Sequence, residues 1–319
     1  MTRFLSLILG FILSFAALAQ PYPSRPVKIV VPFGPGGTAD TLGRLVAGKL
    51  SEQLKEGFVI ENKGGAGGVV GSELVAKAAP DGYTLVVSGI ASHVIAPLLP
   101  GGAPYDPLKD FTHIALFGGP PAVFAVNPGI PAKTLKEFVQ LAKDKPGMLS
   151  YGSPGPGTQG QLVAELFKRE AGIDVLHVPY KGAAAAVTDL MGGQITAVST
   201  TLSTASGQIK AGRARALALS SAQRLPDYPD IPTFVEQGFP NIIGTVWFSL
   251  SGPAGMPQEI VDKLNAEVRR ALELSDVRAK LRHEGIVPNR LDAKEFTAFV
   301  TDELHRWGPT VRASGAKKD

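Results

Sequence analysis

The chain has 319 residues, 44% of them hydrophobic, a formal charge of +4 and no cysteine. That length supports two domains with full-sized cores. The missing cysteines exclude disulfides and lipid attachment at a thiol, and Lys and Arg scattered among acids, with no basic run, argue against a nucleic-acid partner.

In chain order, Arg3, the apolar run Phe4 to Leu18 and the Ala17-Leu18-Ala19 signal read as a secretory signal peptide cleaved after Ala19. The run is short for a membrane span. The expected mature chain is exported, starts at Gln20 and carries a charge of +3 once Arg3 is gone (+4 minus one). Val27 to Val31 predicts a buried parallel strand. Thr38 to Leu54 has helical spacing, Phe58 to Ile60 is the next strand, and Gly64 to Gly68 is a loop. Val70 to Ala79 predicts a helix closed by Pro80-Asp81-Gly82, followed by a strand over Tyr83 to Ser88. This βαβαβ rhythm predicts a doubly wound parallel sheet. Ile114 to Phe117 and Val123 to Val126 are further strands, the second crossing into a second lobe. That lobe repeats the α/β pattern: helices over Leu135–Lys143, Gly160–Glu170 and Ala183–Met191, and strands over Leu149–Tyr151, Val175–Val178, Thr196–Thr200 and Ala214–Leu219. A proline-rich connection, Pro226 to Pro232, leads to Thr245–Ser251, which returns to the first lobe. Helices over Gln258–Leu274, Asp276–His283 and Ala293–Trp307 finish the chain. Lobe one therefore takes 20–123 and 224–319 and lobe two 124–223, with hinge strands near 123–127 and 217–250.

Two stretches carry the functional signal. Ile29 to Asp40 and Leu149 to Gln159 each read as a strand, a Gly/Pro turn, a Thr and then a helix. Such a turn presents backbone N–H groups at the positive end of a helix dipole, which suits an anion. One turn in each half predicts two lobes gripping one anion. Competing motifs are weaker. Gly34-x-Gly36-x-x-Ala39 with Glu61 is a passable dinucleotide fingerprint, but Pro35 fits the tight turn poorly and an exported chain fits the cofactor poorly. Ser153 lacks the Gly-x-Ser-x-Gly elbow because position 151 is Tyr. The five histidines show no metal-ligand spacing. These patterns suggest neither an enzyme nor a cofactor or metal. His93 follows a strand end on the expected cleft side. Asp40 is either a cap or a water-mediated ligand contact, and Lys181 either a cleft cation or a solvated charge.

An ordered series of segments then matches a known family. It runs through Tyr22-Pro23-Ser24-Arg25-Pro26, Val30 to Gly37, Glu61-Asn62-Lys63, Ala78 to Leu85, Tyr105-Asp106-Pro107, His177 to Gly182, Thr188-Asp189-Leu190 and Gly252 to Gly255. The chain resembles the substrate-binding proteins of tripartite tricarboxylate transporters, the Bug (Bordetella uptake gene) family. The resemblance implies a two-lobe type II periplasmic-binding-protein fold. It also implies a small organic carboxylate held by loop amides, hydroxyls and ordered waters, with integral-membrane transporter subunits as partners; a monomer is the default expectation. A ligand-loaded partner of a signalling receptor is the alternative. Mapped onto this sequence, the resemblance implies binding by Gly36, Gly37, Thr38 and, through water, Asp40 from lobe one, and by Ser153, Gly157 and Thr158 from lobe two. Phe33, Ser88, Ser92 and His93 line the wall, with Lys181 and Thr200 as further candidates. Where relatives often carry Asp-Asn, this chain has Ser199-Thr200-Thr201. Losing an Asp removes a partner for a ligand amine, so a plain carboxylate is favoured over an amino acid.

Overall fold

The computed structural model describes residues 22–314 apart from 287 and 289, so the expected signal peptide lies outside the described residues. Two five-stranded sheets organise the chain. In the first, β1 (Val27–Val31) pairs in parallel with β2 (Phe58–Asn62) and β3 (Thr84–Gly89). β4 (Phe111–Gly118) reaches β3 only through the antiparallel β10 (Phe248–Pro253), giving the order β2-β1-β3-β10-β4. The second sheet contains β5 (Ala122–Val126), β6 (Ser150–Ser153), β7 (Leu176–Pro179), β8 (Ala197–Thr201) and β9 (Arg215–Leu219), in the order β7-β6-β8-β5-β9. There β5 is the antiparallel strand. Each sheet therefore has one antiparallel strand, in the same place, and in each it is the strand that enters from the other lobe.

Burial explains why the strands read as they do. β1 is buried at every position but Lys28, and β5 at every position, as a sheet covered on both faces requires. Helices α1 (Thr38–Leu54) and α2 (Val69–Ala76) cover the first sheet. Helices α3 (Leu135–Asp144), α4 (Gln159–Ala171), α5 (Ala183–Met191) and α6 (Leu202–Lys210) cover the second. Phe124, Phe138 and Phe167 fill the second lobe with edge-to-face contacts at 5.1–5.2 Å between Phe124 and the other two. Helices α7 (Gln258–Glu273), α8 (Ser275–His283) and α9 (Ala293–Ser314) close the chain. No helix among the described residues is long and apolar enough to cross a membrane.

Three elements depart from the sequence reading. Leu202–Lys210 is helical although its Ser, Thr and Gly content is weak for a helix, because Leu202 and Ala205 are buried in the second core. Ala91–Ile95 forms a wide helical turn running into Ala96–Leu98, where a plain wall segment was expected. Finally, α9 continues past Gly308-Pro309. Trp307 and Val311 on either side of the proline are buried, so packing outweighs the lost N–H. Buried Glu303 ties this helix to the crossover by accepting from both Trp247 Nε1 (2.9 Å) and Trp307 Nε1 (3.0 Å).

Candidate functional site

In both sheets the parallel strands deliver the chain into the cleft at their carboxyl ends, where open α/β sheets place ligands. β1 runs through Pro32–Gly37 into α1, β6 through Pro154–Thr158 into α4, β7 through Tyr180–Gly182 into α5, and β8 directly into α6. Four helix N-termini thus face one region. A cavity lies among them, lined by Gly37, Thr38 and Ala39 from α1, Thr158, Gln159 and Gly160 from α4, Ala183 from α5 and Thr201 from α6. Phe33, Gly89, Ala91, Pro154, Val246 and Phe248 complete its wall. Its volume is about 50 Å³. No charged side chain lines it.

The caps differ in a way that matters. At α4, Thr158 Oγ1 accepts from the Gln161 N–H and donates to Gly155 O at 2.7 Å. The cap positions of α1, α5 and α6 are Gly37, Gly182 and Thr201, and none makes a side-chain capping bond. The first N–H groups of a helix have no partner within it, so the first turns of these helices keep donors for something in the cleft.

The two lobes touch around the cavity. Gly34 N–H donates to Lys181 O at 2.9 Å. Thr38 bridges into lobe two through hydroxyl contacts with Thr201 (2.6 Å), Ser203 and Thr204 (3.0 Å), and its N–H donates to Thr204 Oγ1. Asp40 folds back onto its own turn. Its carboxylate accepts from Gly36 N–H (3.0 Å), Asn62 Nδ2 (2.9 Å) and Arg44. Burial works to raise this carboxyl, but the Arg44, Gly36 and Asn62 contacts together hold it below the usual carboxylate range.

The tripartite tricarboxylate transporter family receptor (TctC) model matches residues 42–316 of this chain. The chain belongs to the TctC family. It is 34% identical to BugT of Bordetella pertussis over 323 residues, covering 99% of each protein. It is also similar to an R. palustris protein solved with adipate: 34% identity, TM-score 0.89, over 93% of this chain and 99% of that one. MatC from Rhodopseudomonas palustris, solved with bound malate, is 34% identical with a TM-score of 0.87, over 91% of this chain and all of that one. The shared two-lobe fold is that of periplasmic binding proteins.

Within this TctC-family chain, Phe33, Gly37, Thr38 and Thr158 come together at the cavity. Gly36, Asp40, Ser153 and Gly157 lie behind it and shape its loops. The Gly36 and Gly157 N–H groups are already engaged, by Asp40 and by Gln161 Oε1 (2.8 Å). Ser153 Oγ contacts His177 Nε2 at 2.7 Å. The structure moves five candidates away. Ser88 bonds Ser249 and Ser251 inside the sheet. His93 is fully buried, 4.4 Å ring to ring from Phe111, with Ser92 Oγ on its Nδ1. The helical turn at Ala91–Ile95 carries Ser92 and His93 into the core and leaves Gly89 and Ala91 as the wall. Lys181 is exposed, and it is its carbonyl that crosses the cleft. Thr200 points to the far face of β8. Strand side chains alternate, so its neighbour Thr201 is the one that reaches the cavity. Sequence reading also missed Gln159, although it directly follows the capping Thr158 of the second twin turn.

Proposed function

We propose that this protein is an extracytoplasmic solute receptor. It captures a small organic carboxylate between its lobes and delivers it to a tripartite tricarboxylate-type membrane transporter. The observation that carries the reading is the convergence of four helix N-termini on one cavity without a charged side chain in its lining. Amides and helix dipoles complement an anion there without a buried counter-charge to desolvate. The carboxylates held by two relatives of the same fold, adipate and malate, support the ligand class. The lobes divide where the chain passes between sheets, from β4 to β5 and from β9 to β10. Each lobe holds one side of the ligand, so ligand favours the closed arrangement. Phe33, Gly37, Thr38 and Thr158 are the contact residues carried over from the sequence, and Ala39, Gln159, Ala183 and Thr201 join them. Export to the periplasm follows from the Arg3 to Ala19 segment.

The test is a thermal-shift screen of the exported chain against mono-, di- and tricarboxylates, because a ligand that binds only the native state raises Tm. A rise confined to one acid class is the expected result. No rise with any acid, together with release of a different chemical class on unfolding the purified protein, refutes the carboxylate reading.

A further inference from the structure

Gln159, the first residue of α4, is 1% exposed and lines the cavity. Neither its Nε2 nor its Oε1 has a hydrogen-bond partner in the protein. The other polar side chains of this first turn are paired. Gln161, two residues on, has its Oε1 on Gly157 N–H and its Nε2 towards His177, and Thr158 Oγ1 serves Gly155 O. Buried side-chain amides in folded proteins are almost always paired, so a cavity-lining residue with both amide atoms buried and unpaired points to the ligand as its partner. A Cβ on Gly244 would fall 2.7 Å from both Gln159 Nε2 and the Trp307 ring, and glycine there leaves room for the two side chains.

The amide restricts the partner's chemistry. Nε2 donates and Oε1 accepts, whereas an ionised carboxylate only accepts. A plain carboxylate therefore leaves Oε1 without a donor. The ligand must bring an O–H or N–H beside its acid group. An ammonium is disfavoured, because four positive helix ends face the cavity, no carboxylate lines it, and Asp40 is committed to Gly36, Asn62 and Arg44. A hydroxyl is neutral, and it both donates and accepts.

We infer that Gln159 reads a hydroxyl carried next to the ligand's carboxylate, so that the cleft prefers hydroxycarboxylates to the matching unsubstituted acids. The inference refines the carboxylate reading above and rests on it. Titration calorimetry with matched pairs tests it: malate against succinate, 2-hydroxyadipate against adipate, lactate against propionate. In at least one pair the parent protein should bind the hydroxy acid at least about tenfold more tightly, since a site built to bond a hydroxyl rejects the analogue without one. Gln159→Met, of similar length but without the amide, should bring that ratio to about one by weakening the hydroxy acid more than its unsubstituted partner. Because no protein hydrogen bond is lost, its ligand-free Tm should not fall, whereas a purely structural glutamine would show a drop. Gly244→Ala, which crowds the amide, should reduce the same ratio. A ratio that survives Gln159→Met, or unsubstituted acids preferred in every pair, overturns the inference and leaves the carboxylate reading standing. Failure of every acid of both kinds to bind overturns both.

Discussion

Gly67→Ala separates closure from folding. Gly67 lies in the loop after β2, at φ +64°, and a Cβ there would land far inside contact distance of the Pro156 carbonyl oxygen in the other lobe. To bring that Cβ out to 3.0 Å, the lobes must part by roughly 1 Å at this point. The Gly34 N–H to Lys181 O bond, 2.9 Å in the structure, then stretches beyond hydrogen-bonding range. The Thr38 contacts to Thr201 and Thr204 are strained with it. Two or three interlobe hydrogen bonds at roughly 1 kcal/mol each amount to roughly 2–3 kcal/mol, which is a 30- to 150-fold rise in Kd. Folding itself is touched only by the left-handed backbone, at roughly 1 kcal/mol for alanine, because the clash exists only when the lobes meet. Calorimetry with the acid found in the screen and denaturant unfolding without it measure the two effects separately. A Kd within threefold of the parent would show that ligand capture does not require this approach of the lobes.

Three further outcomes follow from the same geometry. Thr158→Val removes the α4 cap and the bond to Gly155 O, so ligand affinity should fall while the circular-dichroism spectrum is unchanged and stability drops by about 1 kcal/mol; unaltered affinity in calorimetry would remove Thr158 from the site. Asp40→Asn loses the charge on Gly36 N–H, Arg44 and Asn62, and should destabilise the chain by roughly 1–3 kcal/mol at pH 7, read from the urea midpoint. Stability should also fall on acidification because of the buried imidazoles. Burial pushes His113 down to about 4, and burial together with neighbouring His113 holds His93 well below 6.5. The unfolded chain therefore takes up protons that the folded chain refuses, and stability present above pH 6.5 is lost as pH falls towards 4, by about 3 kcal/mol for His113 alone. His113→Gln should flatten that slope between pH 7 and 4.5, and an identical slope in both proteins would contradict the assignment.

Most of the architecture was legible because its signals are local. The apolar run of β1, the helical spacing from Thr38 to Leu54 and the repeated strand–turn–Thr–helix pattern each depend on neighbours in sequence. What escaped depends on partners far along the chain. Leu202–Lys210 has a poor helix composition and is helical because the second core buries Leu202 and Ala205. Thr200 and Thr201 differ in which face of β8 they occupy, and the expected strand, Thr196–Thr200, stops one residue short of the observed end. His93 looked like a wall residue, but a helical turn rotates its ring onto Phe111 and His113. Gln159 gave no signal of its own, since an exposed first-turn glutamine and one with both amide atoms buried are written identically in sequence.

The strand order of the first sheet also bears on how the chain is assembled. β4 has β10 as its only neighbour in that sheet, and β10 is 130 residues downstream at its start (248 minus 118). Until residues 248–253 arrive, β3 and β4 flank an empty slot with two unpaired edges. The second sheet, by contrast, has all five of its strands between residues 122 and 219. A chain emerging N-terminus first can therefore complete the lobe encoded in its middle before the lobe encoded by its two ends. Nascent or truncated chains that stop short of residue 248 would present open strand edges to proteases, chaperones and one another.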